Sequence, residues 1–195
     1  MILPVSFYSR PTLKVLEELI GKVLVRKSED GLTSGVIVEA EAYTGEDDPA
    51  SYAFSGRTKR SEIMYGPPGR AFVHFTYGMH HMLNLVTERE ELPAAILIRA
   101  LEPSEGISLM KKRRQAEELI NLCSGPAKIC QAFGIDRSHN GVSLSSSRSP
   151  IFIKEGEKRK EGREELIWKS RIGIQEGKER LWRAYLKGSP FISVK

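Results

Sequence analysis

The spacing of apolar positions changes period several times along the chain, and each change marks an element. Residues 11–20 place apolar side chains at Leu13, Val15, Leu16, Leu19 and Ile20, a helical spacing that Gly21 closes. A strand is expected from Lys22 to Arg26, a turn at Asp30-Gly31, and a second strand from Gly35 to Tyr43. Sorted by parity, Val36, Val38, Ala40 and Ala42 of that second strand face a core, while Glu39, Glu41 and Tyr43 share the opposite face. Residues 45–69 are polar and turn-rich, and a connection of this length inside a compact domain is a candidate binding loop. Strand patterns from Ala71 to Thr76 and from His81 to Val86 flank Tyr77-Gly78-Met79, giving a hairpin with an aromatic tip.

Ala94 to Leu101 is a further apolar strand, followed by a basic helix from Gly106 to Ile120 with Ser104 as its cap. Ser124-Gly125-Pro126 opens another helix, with Ser124 capping it and Pro126 in its first turn. Arg171-Ile172-Gly173-Ile174, Trp182 to Leu186 and Phe191 to Val194 read as short strands. Strands mixed with helices, without regular βαβ alternation, predict an α+β fold: one domain over residues 1–195, with a mixed, mostly antiparallel curved sheet flanked by helices.

Composition narrows the function classes only a little. A chain of 195 residues fits one core, and 40% hydrophobic with 28% charged residues is ordinary for a folded domain. No apolar run approaches the roughly 20 residues that cross a bilayer, so a soluble protein with no membrane partner is expected. The opening Met1-Ile2-Leu3-Pro4-Val5-Ser6 lacks the pattern of a secretory leader. The expected location is therefore the cytoplasm. Cys123 and Cys130 fit neither a zinc pair nor a disulfide framework, which leaves reduced, inert thiols.

The formal charge of +5 suits a polyanion-binding protein but is also common among proteins that bind none. Its distribution says more. Arg57-Thr58-Lys59-Arg60 and Lys111-Lys112-Arg113-Arg114 are basic clusters, whereas Lys158-Arg159-Lys160 lies in a mixed-charge run that reads as solvated.

Candidate chemistry starts with the strand face of Glu39, Glu41 and Tyr43. Two carboxylates beside an aromatic ring can floor a polar pocket, with a base or acid next to a stacking platform; the plainer alternative is a surface strand with an acidic outer face. The helix start at Ser124-Gly125-Pro126, with Lys128 close behind, can hold a phosphate or only a cap and water. Tyr77 and Met79 at a hairpin tip either pack elsewhere or form an apolar wedge of the kind that unstacks base pairs from the minor groove. His74, His80 and His81 raise a metal hydrolase, but His80 and His81 point to opposite sides of any strand and no HExxH or CxxC accompanies them.

The order of segments carries more than any one of them: Val38-Glu39-Ala40-Glu41-Ala42-Tyr43-Thr44-Gly45-Glu46-Asp47, Gly66-Pro67-Pro68-Gly69, Tyr77-Gly78-Met79 with Asn84, Ile98-Arg99-Ala100-Leu101-Glu102-Pro103, Leu122-Cys123-Ser124-Gly125-Pro126-Ala127-Lys128, then Arg171-Ile172-Gly173-Ile174 and Lys187-Gly188-Ser189-Pro190. This series resembles the alkyladenine, or 3-methyladenine, DNA glycosylase family over nearly the whole chain. The resemblance implies a monofunctional base-excision repair enzyme that acts on double-stranded DNA containing damaged purines, among them 3-methyladenine, 7-methylguanine, hypoxanthine and ethenoadenine; a monomer is expected because the sequence shows no obvious apolar stripe for a two-fold interface. Such an enzyme flips the nucleotide out and hydrolyses its N-glycosidic bond, with no cofactor, no metal and no lyase step.

By position, Glu41 matches the general base, and Arg99 and the main-chain carbonyl of Ile172 match groups that hold the attacking water. Tyr43 matches a ring that stacks on the flipped base, Asn84 an amide that disfavours guanine, and Leu97 a part of the pocket floor. Tyr77 matches the residue inserted into the vacated stack, on a protruding hairpin that enters the minor groove, with Met79 at the edge of the wedge. Lys128 and Arg137 match backbone contacts. The chain departs from the pattern in two places: Tyr52 stands where relatives commonly have histidine, and His74 where they commonly have tyrosine.

Hydrolysis of this kind needs little more than an activated water and a group that stabilises a cationic sugar, because an alkylated purine is already a good leaving group. Glu39, about 7 Å along the same strand face, either raises the Glu41 carboxyl by like-charge repulsion or lies solvated. A non-catalytic damage-recognition module would share the basic charge and the wedge without requiring Glu41, Arg99 and Asn84 together.

Overall fold

The structure is a computed structural model that describes residues 1–76, 78–156 and 165–194, so the run Lys158-Arg159-Lys160 lies outside the described residues. The chain opens with two short helices, α1 (Val5–Tyr8) and α2 (Thr12–Leu19), the second burying Val15, Leu16 and Leu19 as its spacing predicts. Strands β1 (Val23–Ser28) and β2 (Gly31–Thr44) form a hairpin in which Ser28 pairs with Gly31, so β2 starts four residues before the expected Gly35.

Residues 45–69 contain one 3₁₀ turn, Glu62–Tyr65, and pack Tyr52, Ala53, Ile63, Met64 and Tyr65 against Phe72, Val86 and Ala95. The hairpin of β3 (Ala71–Thr76) and β4 (His80–Val86) follows, and then β5 (Ala94–Glu105). β5 runs past Pro103, which pairs with Gly35 beside a register shift where the missing N–H is tolerated.

The single basic helix expected from Gly106 to Ile120 is instead two: α3 (Ile107–Arg114) and α4 (Leu119–Leu122). Gln115 adopts the left-handed conformation (φ 50°) and ends α3 after four consecutive basic side chains. Ser104 does not cap α3. It stays in β5 with its hydroxyl on Ser34, and Gly106 takes the cap position at φ 72°, where a Cβ would collide with the Leu32 carbonyl oxygen. Helix α5 (Pro126–Phe133) begins at Gly125 with no side-chain cap, and the Ser124 hydroxyl accepts from Lys128 Nζ at 3.1 Å.

Three strands complete the fold: β6 (Ile151–Lys154) and β7 (Leu166–Lys169), both of which the sequence reading missed, and β8 (Arg183–Leu186), within the expected 182–186. Neither 171–174 nor 191–194 forms a strand. Arg171 is tied into a buried ion pair and Gly173 turns the chain at φ 77°.

The strands make one curled sheet of order β3-β4-β5-β2-β1-β6, with β8 on β2 and β7 on β8, and all of these pairings are antiparallel. Helices α2 and α5 cover one face, where Leu16, Leu19, Ile129 and Phe133 meet Ile37, Ala40, Ile96 and Ile98 in the main core. No helix among the described residues is long and apolar enough to cross a membrane.

Candidate active site

The site is built on the middle of β2. Its N-terminal half pairs with β1, but at Glu39–Glu41 the partner on that side is β8, with β5 on the other side. Here the strict alternation expected of β2 fails. Ile37 pairs with Leu101, Glu39 with Ala100 and Ala40 with Ile98, so β2 has one extra residue and β5 immediately has another. The two bulges cancel in register but shift parity on both strands. Ile37, Ala40 and Ala42 face the main core, as do Leu101, Ile98 and Ile96, whereas Val38 packs in a separate cluster with Ala100 and Leu186. Val36 likewise belongs to a side cluster, so neither valine faces the core assigned to it by parity. Beyond the β2 bulge Glu39 and Glu41 keep the shared face that alternation assigned them, and Arg99 of β5 meets both there.

Glu41 is fully buried. Its Oε2 accepts from Tyr43 Oη at 2.9 Å and from Arg99 Nη1 at 3.1 Å, and its Oε1 accepts from the Ile172 N–H at 2.7 Å. Burial pushes the carboxyl above its ordinary value, and Arg99, the Ile172 N–H and Tyr43 oppose the rise. Glu39 is not solvated. It is equally buried, accepts from Arg183 Nη1 at 3.0 Å, lies 3.4 Å from Arg99 Nε, and receives both the N–H and the hydroxyl of Ser193. Arg99 thus bridges the two carboxylates, and two arginines offset two glutamates in one buried array.

A cavity of about 360 Å³ opens over this floor, walled by Tyr43, Tyr52, His74, Asn84, Leu97 and Arg99, with Ile172-Gly173-Ile174 on one side. All three donors to Glu41 belong to residues of this wall, so the carboxylate lies directly behind it. Tyr43 is backed by Arg171, whose guanidinium lies 4.7 Å from the ring centroid and pairs through both terminal nitrogens with the buried Asp48. Tyr52 and His74 meet edge to face with centroids 4.9 Å apart. Arg60 lies 3.9 Å over the Tyr52 ring and donates to its hydroxyl. The Asn84 amide donates to the Phe72 carbonyl and meets His74 Nδ1, each at 3.1 Å. Burial, with the nearby Arg60 charge, lowers His74 to about 4.

The structure therefore gathers Glu41, Arg99, Ile172, Tyr43, Tyr52, His74, Asn84 and Leu97 around one space. Ile172 touches Glu41 through its N–H rather than its carbonyl. Met79 stands 67% exposed at the hairpin tip, and Tyr77 lies outside the described residues. Lys128 sits half-buried at the start of α5, away from the cavity wall, while Pro126 reaches it. Arg137 is exposed on a 3₁₀ turn and lines an outer groove of about 560 Å³ with Lys59, Arg60, Glu62 and Asn140. That groove shares Phe72 and His74 with the cavity.

Sequence reasoning missed the Arg171–Asp48 pair, Arg183, Ser193 and the contact of Arg60 with Tyr52. Arg171 adjoins Ile172 and Arg60 ends a basic cluster already singled out, but nothing in the sequence shows which partners they find. Among the described residues no group of three or more His, Cys, Asp or Glu side chains is placed to hold a metal ion.

Comparison with known proteins gives a consistent result. The sequence profile described as "Methylpurine-DNA glycosylase (MPG)" matches residues 6–190. A protein of Carboxydothermus hydrogenoformans named "Putative 3-methyladenine DNA glycosylase" is 44% identical over 195 residues, covering 100% of both chains. Proteins with the same name from Clostridium acetobutylicum and Methanocella arvoryzae are 42% and 43% identical, each covering 96% of the relative and 97% and 98% of this chain.

Proposed function

The chain belongs to the methylpurine-DNA glycosylase family and is a DNA glycosylase of the 3-methyladenine class, and from that premise we propose a metal-independent hydrolysis carried by Glu41. A damaged purine, alkylated or deaminated, leaves the duplex and enters the cavity against Tyr43, at a cost that is lower for a base already poorly paired. Glu41 takes a proton from water as the water oxygen bonds to C1′. The C1′–N9 bond breaks with its electron pair going to the base, and the products are the free base and an abasic sugar. No amine attacks the sugar, so no strand cleavage accompanies release. Arg99 holds Glu41 in place and, with the Ile172 carbonyl, positions the water.

The observation that supports this reading best is the position of Glu41: fully buried, raised by burial, and fixed by three donors that all come from the cavity wall. A carboxylate held that way is a stronger base than one in water, and its orientation needs no search. The hairpin tip with Met79 supports an approach from the minor groove, where an apolar wedge fills the space the base has left.

Single-turnover release of 3-methyladenine and hypoxanthine from duplex DNA, in EDTA, tests the assignment. Wild type is expected to release both, and Glu41→Gln to lose about 10²–10⁴-fold in rate while still binding damaged DNA. Equal rates in the two proteins would remove Glu41 from the chemistry. A well-folded wild type that binds damaged DNA but releases nothing would make the chain a recognition module.

A further inference from the structure

His74 lines both the cavity and the outer groove, and its surroundings fix its chemistry. The Phe72 carbonyl can only accept, so the Asn84 atom 3.1 Å from it must be the amide nitrogen, which settles the orientation of the amide. The second amide hydrogen is directed at His74 Nδ1, also at 3.1 Å. An amide nitrogen has no lone pair to offer, so Nδ1 accepts and the ring proton resides on Nε2. A doubly protonated ring would set N–H against N–H at this contact. Neither His74 Nε2 nor Asn84 Oδ1 has a hydrogen-bond partner among the described residues, and neither is sealed off from solvent.

We propose that His74 is a specificity-determining donor: Asn84 locks it as the Nε2–H tautomer, and that N–H favours neutral purines with a strong acceptor on the facing edge, the 6-oxo class. The inference rests on the glycosylase reading and extends it to substrate choice. The wall then offers a donor from His74 near an acceptor from Asn84, which complements the O6 and N1–H of a 6-oxopurine. An alkylated cationic purine gains less from the donor, because its ring acceptors are weakened and its own charge drives its departure. The lowered titration of His74, to about 4 through burial and the Arg60 charge, keeps the ring neutral at physiological pH.

Two measurements test the proposal. In the free protein, ¹⁵N chemical shifts of labelled His74 at neutral pH should report the Nε2–H tautomer; the Nδ1–H form or an imidazolium would overturn it. Single-turnover rates for hypoxanthine and 3-methyladenine in wild type and His74→Phe should then show the hypoxanthine to 3-methyladenine rate ratio falling about tenfold, the worth of one lost hydrogen bond. An unchanged ratio, even with both rates reduced, would refute the selectivity. If His74→Phe does not fold, the tautomer still decides. A wild type that releases neither base overturns the glycosylase reading itself, whereas release of hypoxanthine by an Nδ1–H protein overturns only the role given to His74.

Discussion

A histidine whose ordinary titration near 6.5 is held down to about 4 couples protonation to folding. As the pH falls below 6.5, the unfolded chain takes up a proton at this position that the folded protein refuses until about 4. The stabilising contribution is therefore complete above 6.5 and is lost progressively through that window. Chemical denaturation midpoints at pH 7.5 and 4.5 should fall further for wild type than for His74→Phe; equal falls would mean that His74 titrates alike in both states. Glu41, Tyr43, Arg99 and Asn84 were legible as neighbours because they sit in or beside short motifs whose order could be recognised, and Tyr52 and His74 as departures from that pattern. Their charged supports were not. Asp48 finds Arg171 across 123 positions of sequence, and such a pairing depends on the finished fold.

At the scale of elements, strand positions were largely readable from period and turn residues, and β3 falls where its pattern put it. The parity of β2 was readable from Glu39 to Tyr43 but not at Val36 and Val38, because a bulge adds a residue without any compositional mark and the alternation rule presumes there is none. Just past the β2 bulge, Glu39 is a junction of β2, β5, β8 and the segment around Ser193. Glu39→Gln would leave Arg99 and Arg183 with one carboxylate between them in a buried setting. A loss of about 3–5 kcal/mol is expected from urea denaturation. A change under 1 kcal/mol would show that the array is solvated in solution.

Over the whole molecule, the net charge of +5 said only that a polyanion was compatible, and the fold shows where part of it collects. Lys59, Arg60 and Arg137 line a groove that shares a wall with the base cavity, although they come from chain segments some 77 residues apart, from Arg60 to Arg137. On the proposed function these cations track the DNA backbone beside the extruded nucleotide. The logarithm of the association constant should then fall linearly with that of salt, and Lys59→Gln and Arg137→Gln should each reduce the slope by about 1. An unchanged slope in both variants would place the backbone on another face.

The pairing of β2 with β5 and β8 at Glu41 has a consequence for divergence among such proteins. Moving the carboxylate means breaking two ladders at once, whereas Tyr52 stands in the 45–69 connection and His74 on a hairpin arm, with side chains that meet only above that floor. Rings can be traded in the walls while the carboxylate stays put. On the proposed function, a lineage can thus retune which lesions it removes by point changes that leave its chemistry untouched.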